Sequence, residues 1–231
     1  MTLAALIFDV DGTLAETEET HRCAFNCAFA EAGLDWNWSV AQYVDLLKTT
    51  GGKERINAFL REIGTPAALD AAEIAVLHRR KTDIYSEMIA AGEIELRPGI
   101  VELVAHARDA GLRLAVATTT NLPNVEALSQ ACWNQPAGHV FDAIAAGDAV
   151  AEKKPAPDVY LLALDLLGFP PHQCLAFEDS RNGVRSARAA NLRVIATPSC
   201  YSGDDDLSEA DCILPNLQGF DPDAWWSARR M

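Results

Sequence analysis

Apolar residues follow two rhythms along this chain, and the change between them falls near residue 92. The chain opens with an unbroken apolar run over residues 3–8 that meets two carboxylates, Asp9 and Asp11. A run without polar alternation reads as a strand buried on both faces, delivering polar groups to a sheet edge. Thr17 then reads as a helix N-cap, with Glu18 and Glu19 in the first turn. Ala24, Phe25, Ala28, Phe29 and Ala32 recur at helical spacing until Gly33. The same spacing predicts helices over residues 40–47, 54–63 and 71–89, and no convincing strand precedes Gly92.

From Arg97 the pattern alternates between helical segments and short apolar runs. Pro98 and Gly99 open a helix that ends at Ala110, and strands are predicted over 112–118, 143–146 and 174–177. Helices are predicted over 121–132, 158–167 and 180–190, with closing strands at 194–197 and 212–214 and a docked helical turn after Gly219. Such alternation is the signature of a parallel sheet. The expected fold is therefore α/β: a Rossmann-like parallel sheet core flanked by helices, built from residues 1–15 and 93–231, with an inserted α-helical unit over 16–92.

Composition narrows what this fold does. With 231 residues, 49% of them apolar, the chain can bury a large core. A net charge of −14 argues against a general nucleic-acid or anionic-membrane surface, since phosphate backbones need clustered Lys and Arg. No apolar run is long enough to span a bilayer, and the first strand starts too early for a leader segment, so a cytoplasmic protein is expected. Six scattered cysteines read as reduced thiols. Cys23 and Cys27 share a helix face, but no second pair completes a zinc set, so core packing is the expected role. No partner protein is implied.

Candidate chemistry gathers at the carboxyl ends of the predicted strands, where open parallel sheets bind ligands. Strand alternation points Asp9 and Asp11 the same way, so their charges repel unless a divalent cation or a shared proton compensates them. Gly12 allows a tight turn and Thr13 adds a hydroxyl, although the same residues also suit an ordinary Asp-Gly turn. Thr118 ends the second strand, Lys153 and Lys154 precede Pro155 after the third, and Glu178 and Asp179 end the fourth.

The run Asp9-Val10-Asp11-Gly12-Thr13, together with Thr118, the Lys154-Pro155 stretch and Glu178-Asp179, resembles the four signatures of the haloacid dehalogenase superfamily over nearly the whole chain. The resemblance implies phosphoryl transfer, with Asp9 as nucleophile and Asp11 as the acid that protonates the leaving alcohol and then deprotonates water. It implies Mg²⁺ held by Asp9, the Asp11 backbone carbonyl and Asp179, with Glu178 helping directly or through water. Thr118 would bind the phosphoryl group, and Lys154, preferred to Lys153 because it precedes the proline, would offset charge. Asp11 sets the chain apart from the dehalogenase branch, which lacks the second acid.

By the same resemblance, residues 16–92 are a helical cap that reads the substrate. Ala15-Glu16-Thr17-Glu18, the stretch Gly51-Gly52-Lys53-Glu54-Arg55 and Thr118-Thr119-Thr120-Asn121 resemble the CbbY type of sugar phosphatase within the β-phosphoglucomutase-like branch. That type removes a phosphate from xylulose-1,5-bisphosphate, an inhibitory by-product of Rubisco. Glu18 and Tyr43 would then bind sugar hydroxyls, although Tyr43 also suits a packing role. Gly51, Gly52, Lys53, Arg55, Arg79 and Lys81 would serve the distal phosphate, and Thr119, Thr120 and Asn121 would border the transferring group. The two cationic clusters also suit solvated surface charge. His21 is either a proton relay or a satisfied helix histidine, and Arg193 either reaches the site or only covers the sheet. The expected partner is a small phosphorylated sugar. A sugar phosphomutase, a broad phosphoester phosphatase and a non-catalytic sugar-phosphate-binding regulator are the competing readings.

Overall fold

The computed structural model describes residues 2–65, 68–92 and 94–229, without the side chain of Asp148. In chain order the elements are β1 (Ala5–Phe8), α1 (Glu18–Glu31), α2 (Val40–Leu47), α3 (Gly52–Glu62), α4 (Ala71–Ala91), α5 (Ile100–Asp109), β2 (Arg113–Thr118), α6 (Leu122–Trp133) and α7 (Ala137–Val140). They continue through β3 (Ala143–Ala146), α8 (Asp158–Leu167), β4 (Cys174–Glu178), α9 (Arg181–Ala189), β5 (Arg193–Ala196), β6 (Cys212–Ile213) and α10 (Pro222–Ser227).

The strands form one parallel sheet in the order β3-β2-β1-β4-β5-β6. Strand β1 lies between β2 and β4, so the chain winds in opposite directions from it, the arrangement that opens a crevice at the carboxyl edge. Register carries the chemistry to that crevice. Phe8 is level with Val116 of β2 and Phe177 of β4, which sets Asp9, Thr118 and Glu178 just beyond.

Both faces of the sheet are covered, which explains the absence of alternation in β1. Leu6 and Phe8 pack with Leu103, Val104, Val125 and Leu128 of α5 and α6, while Ala5 and Ile7 pack with Val159, Ala163, Val184 and Ala187 of α8 and α9. Helix α10 docks on the first of these layers through Trp226, as the sequence predicted for the tail.

Helices α1 to α4 enclose a separate apolar cluster that includes Phe25, Phe29, Trp38, Tyr43, Ile56, Phe59 and Tyr85. The α1–α2 loop is pinned at Trp38, whose N–H donates to Asn26 Oδ1 (2.8 Å) and whose carbonyl accepts from Asn26 and Arg22. The two chain segments joining these helices to the sheet run side by side: Ala15 bridges Leu96 antiparallel, and Arg97 N–H donates to the Leu14 carbonyl at 2.8 Å. Glu93, the expected boundary, lies outside the described residues.

Several expectations shift. Strand β1 begins at Ala5 rather than residue 3, with Ala4 N–H bonded to the Gln173 carbonyl just ahead of β4. Helix α3 starts at Gly52, two residues early, after Gly51 turns the chain with φ +92°. Helix α7 was not foreseen, being only four residues long and too short for a period to show. Thr17 occupies the N-cap position of α1 without capping it. Cys23 and Cys27, expected in the core, are half-buried and exposed, and all six cysteines are free thiols. No helix among the described residues is long and apolar enough to cross a membrane.

Candidate active site

At the centre of the carboxyl edge, Lys154 Nζ lies 2.6 Å from Asp9 Oδ1 and 2.6 Å from Glu178 Oε1, all three side chains being buried. Register sets the acids here, and the loop after β3 brings the lysine 145 residues along the chain to Asp9. The Lys154-Pro155 bond is cis. Tyr160 of α8, which the sequence reading missed, donates its hydroxyl to Glu178 Oε1 at 2.7 Å. Asp179 follows, with Ser202 Oγ 2.9 Å from its Oδ2 and 2.9 Å from its carbonyl oxygen.

Two glycines make this crowding possible. A Cβ on Gly12, whose φ is +82°, would lie 2.3 Å from Asp179 Oδ2, and one on Gly183 would lie 1.8 Å from Glu178 Oε2. The acids therefore sit against bare backbone.

Asp9, Glu178 and Asp179 offer carboxylate oxygens within 4.8 Å of one another, and among the described residues Lys154 is the one cation paired with them, bonding Asp9 and Glu178. The electrostatics register the shortage of positive charge. Burial pushes Asp9 well above the usual carboxylate range against the pull of Lys154, with Glu178, Asp179 and Asp11 adding to the rise. Burial and the neighbouring Glu178 push Asp179 up to about 7, despite hydrogen bonds from Ser199 and Ser202. Burial disfavours the Lys154 ammonium, but Asp9 and Glu178 outweigh it and raise its pKa. A divalent cation fits this oxygen-rich cluster and would supply the missing charge.

Asp11 is not part of that cluster. Its Oδ1 accepts from Thr17 Oγ1 at 2.5 Å and lies 3.0 Å from His21 Nε2, so the shared strand direction does not bring its carboxylate into the group formed by Asp9, Glu178 and Asp179. Behind it, Lys81 Nζ is 2.6 Å from His21 Nδ1, and His21 stacks on Tyr85 with centroids 4.0 Å apart. With Nδ1 facing an ammonium, the imidazole carries its proton on Nε2 and donates to Asp11. Burial raises Asp11, yet His21, Thr17 and Lys81 together hold its carboxyl at about 2. Burial and the Lys81 charge lower His21, and burial lowers Lys81 to about 7. His21 is thus buried with both ring nitrogens bonded, one of them to Asp11, a geometry common to both roles the sequence left open.

A cleft lies between this edge and helices α1, α3 and α4. Its walls include Asp11, Glu18, Gly51, Gly52, Lys53, Arg55, Lys81, Thr119, Thr120 and Asn121, so most of the predicted substrate contacts converge. His78, Phe25 and Lys153 line it too, His78 belonging with Arg79 and Lys81 to one of the two cationic clusters of the sequence and Phe25 to the apolar stripe of α1. Asp9, Thr118 and Lys154 lie just behind the walls at 7, 1 and 4% exposure, with the Thr50 hydroxyl bonded to the Lys154 carbonyl. Thr118 Oγ1 accepts from Thr120 N–H at 3.1 Å, and among the described residues its own proton has no acceptor. Asn121 caps α6 and reaches Thr82 of α4 at 2.9 Å.

Two sequence expectations need correction. Arg79 is exposed and lies outside the cleft walls, because its neighbours His78 and Lys81 hold the inward positions of α4. Tyr43 is fully buried and also behind the walls. Its hydroxyl donates to Glu18 Oε2 (3.0 Å) and accepts from Arg55 Nη1 (2.8 Å), so it orients two cleft residues rather than meeting a sugar. Arg193 stacks on Trp226 at the far end of β5 and does not reach the site.

Residues 3–191 match the family of haloacid dehalogenase-like hydrolases. The chain belongs to that family. Within it the chain is of the CbbY type and is a hydrolase of phosphoric monoesters. It is 58% identical over 217 residues to Protein CbbY of Rhodobacter capsulatus, covering 94% of this chain and 95% of that one. The crystal structure of CbbY from Rhodobacter sphaeroides in complex with phosphate superposes with a TM-score of 0.90 at 55% identity, covering 94% of this chain and 95% of that one. A second CbbY structure from Rhodobacter sphaeroides, a mutant in complex with xylulose-(1,5)-bisphosphate, gives a TM-score of 0.90 at 54% identity with the same coverage.

Proposed function

We propose that the protein is an Mg²⁺-dependent phosphatase that converts xylulose-1,5-bisphosphate to xylulose-5-phosphate through an aspartyl-phosphate on Asp9. The observation that carries this reading is the pairing of two oppositely charged zones across one cleft, acids with a single lysine below and Lys53, Arg55 and Lys81 above. A bisphosphate with a cation answers both zones, and the 54% identical CbbY structure holds that sugar bisphosphate.

Asp9 attacks phosphorus in line and the alcohol leaves with a proton from Asp11. An arriving phosphate monoester raises the proton affinity of Asp11, which otherwise rests ionised, so it is charged with a proton as substrate binds. Asp11 then takes a proton from water, and the hydroxide attacks the phosphoryl group on Asp9. Thr118 donates to a phosphoryl oxygen, and Lys154 opposes the effect of burial on Asp9, so that with the charge of a bound cation added Asp9 would ionise. Bound at Asp9, the Asp11 carbonyl and Asp179, with Glu178 beside them, Mg²⁺ would neutralise phosphoryl charge. Residues 16–92 act as the cap that excludes water, and Lys53, Arg55 and Lys81 hold the distal phosphate.

The test is phosphate release from xylulose-1,5-bisphosphate, ribulose-1,5-bisphosphate and β-glucose-1-phosphate, each with Mg²⁺ and with a chelator. Strong preference for the xylulose compound, abolished by chelation, is expected. Equal rates on all three would point to a broad phosphatase. Isomerised sugar phosphate without free phosphate would make the protein a mutase.

A further inference from the structure

The loop between β5 and β6 is absent from the mechanism above, yet it touches both halves of the site. Its residues 199–202 face two ways. Ser202 Oγ sits 2.9 Å from Asp179 Oδ2 and 2.8 Å from Ser199 Oγ. Between these serines, Cys200 N–H donates to Glu16 Oε2 at 3.1 Å and the Tyr201 hydroxyl bonds Glu19 of α1. The Tyr201 ring also meets Tyr43 edge-on at 5.8 Å.

Each end of this span is anchored. Glu19 is gripped by Arg22 at 2.5 and 2.9 Å, so its carboxylate is fixed before Tyr201 arrives. Arg97 binds the Pro198 carbonyl at 2.6 Å and the Thr197 carbonyl at 2.8 Å, and its Nε lies 3.1 Å from Glu16. Four consecutive residues thus cannot shift toward or away from α1 without moving the hydroxyls that orient Asp179.

We propose that this loop couples the seating of the helical cap to the divalent-cation site, with Tyr201 as a positioning residue for Asp179 acting through Ser202. The proposal rests on the reading of Asp179 as a cation ligand and of residues 16–92 as a cap. Cation binding orders Asp179 and therefore the loop, which favours the Tyr201–Glu19 contact. By thermodynamic reciprocity that contact strengthens cation binding by the same factor.

The experiment is Mg²⁺ titration by calorimetry on the substrate-free full chain, for the parent, Tyr201→Phe, Ser202→Ala and the double variant, with Glu19→Gln as a second way to break the contact. Tyr201→Phe removes only the hydroxyl and keeps the ring against Tyr43. Tyr201→Phe and Glu19→Gln should each weaken Mg²⁺ binding about 5-fold or more. Adding Ser202→Ala to Tyr201→Phe should cost less than the two single effects multiplied, because the path is already broken. Parent-like Mg²⁺ affinity in both Tyr201→Phe and Glu19→Gln, or fully multiplicative effects, would overturn the coupling. Asp179→Asn separates the two levels: unchanged Mg²⁺ binding in that variant would sink the cation-site reading itself.

Discussion

The two sides of the cleft are charged in opposite senses and held in opposite ways. On the sheet edge, Lys154 bonds Asp9 and Glu178 at 2.6 Å, and Asp179 adds a third buried carboxylate beside them. On the helical side, Arg55 and Lys81 are equally buried, but neither forms a salt bridge among the described residues. Arg55 bonds the Tyr43 hydroxyl and the Leu46 carbonyl, and Lys81 bonds His21 and lies over the Phe25 and Tyr85 rings. Burying unpaired charge is costly, so each side carries a standing deficit. What teaches most is that the two sides differ in kind: buried acids outnumber the lysine bonded to them at the sheet edge, whereas Lys53, Arg55 and Lys81 outnumber Glu18 and Glu54 on the helical wall, and a metal-bound phosphoester would answer both.

The sharpest way to break this comparison is to remove the nucleophile and keep its shape. Asp9→Asn should cut phosphate release by about 10³-fold or more while circular dichroism and melting behaviour stay native. Retained turnover would remove Asp9 from the chemistry. Next, Lys154→Met leaves the buried acids without their one cation and should destabilise the fold by about 3–5 kcal/mol in urea melts without divalent ions. Added Mg²⁺ should recover part of that loss, and no recovery would argue against the cation site.

On the helical side the expected effects are smaller. Lys53→Ala should raise KM for a bisphosphate about 10-fold while leaving KM for a monophosphate nearly unchanged. Equal increases would show that no distal phosphate is read there. Lys81 makes the charge deficit visible as pH dependence, since burial lowers its ammonium from 10.5 to about 7. Between those values the folded state binds fewer protons than the unfolded chain, so this group's contribution to stability rises with pH. Lys81→Met should flatten the rise, changing the parent–variant difference by about 2 kcal/mol between about pH 7 and about pH 9. The smallest effect belongs to Arg79→Ala. With Arg79 exposed outside the cleft, KM should be unchanged and stability should move within about 0.5 kcal/mol.

Much of this was legible in the residues because a parallel sheet gathers its strand ends at one edge. Once β1, β2, β3 and β4 were located, the residues following them, Asp9, Thr118, Lys154, Glu178 and Asp179, were expected at one edge. Side-chain direction on the helices was harder to read. Arg79 and Lys81 are two residues apart on α4, and without knowing which stripe faces the sheet, charge alone does not separate them. The contacts missed entirely are those between groups far apart in sequence with no motif of their own. Tyr160 reaches Glu178 across 18 residues, Ser202 reaches Asp179 across 23, and Arg97 reaches Pro198 across 101. Tyr160 carries no signal of its own within α8, because its ring is packed in the core and only its hydroxyl reaches Glu178.

The bridge between Ala15 and Leu96 has a consequence for how such a chain can vary. Seen from the sheet, everything between those residues is one long loop whose ends are held a strand spacing apart. Closing a flexible loop becomes only about 0.6 kcal/mol harder for each doubling of its length. The sheet therefore pays almost the same entropy whatever fills the gap. Insertions, deletions or wholesale exchange of the inserted helices can retune what enters the cleft, while β1 still delivers Asp9 to the same place.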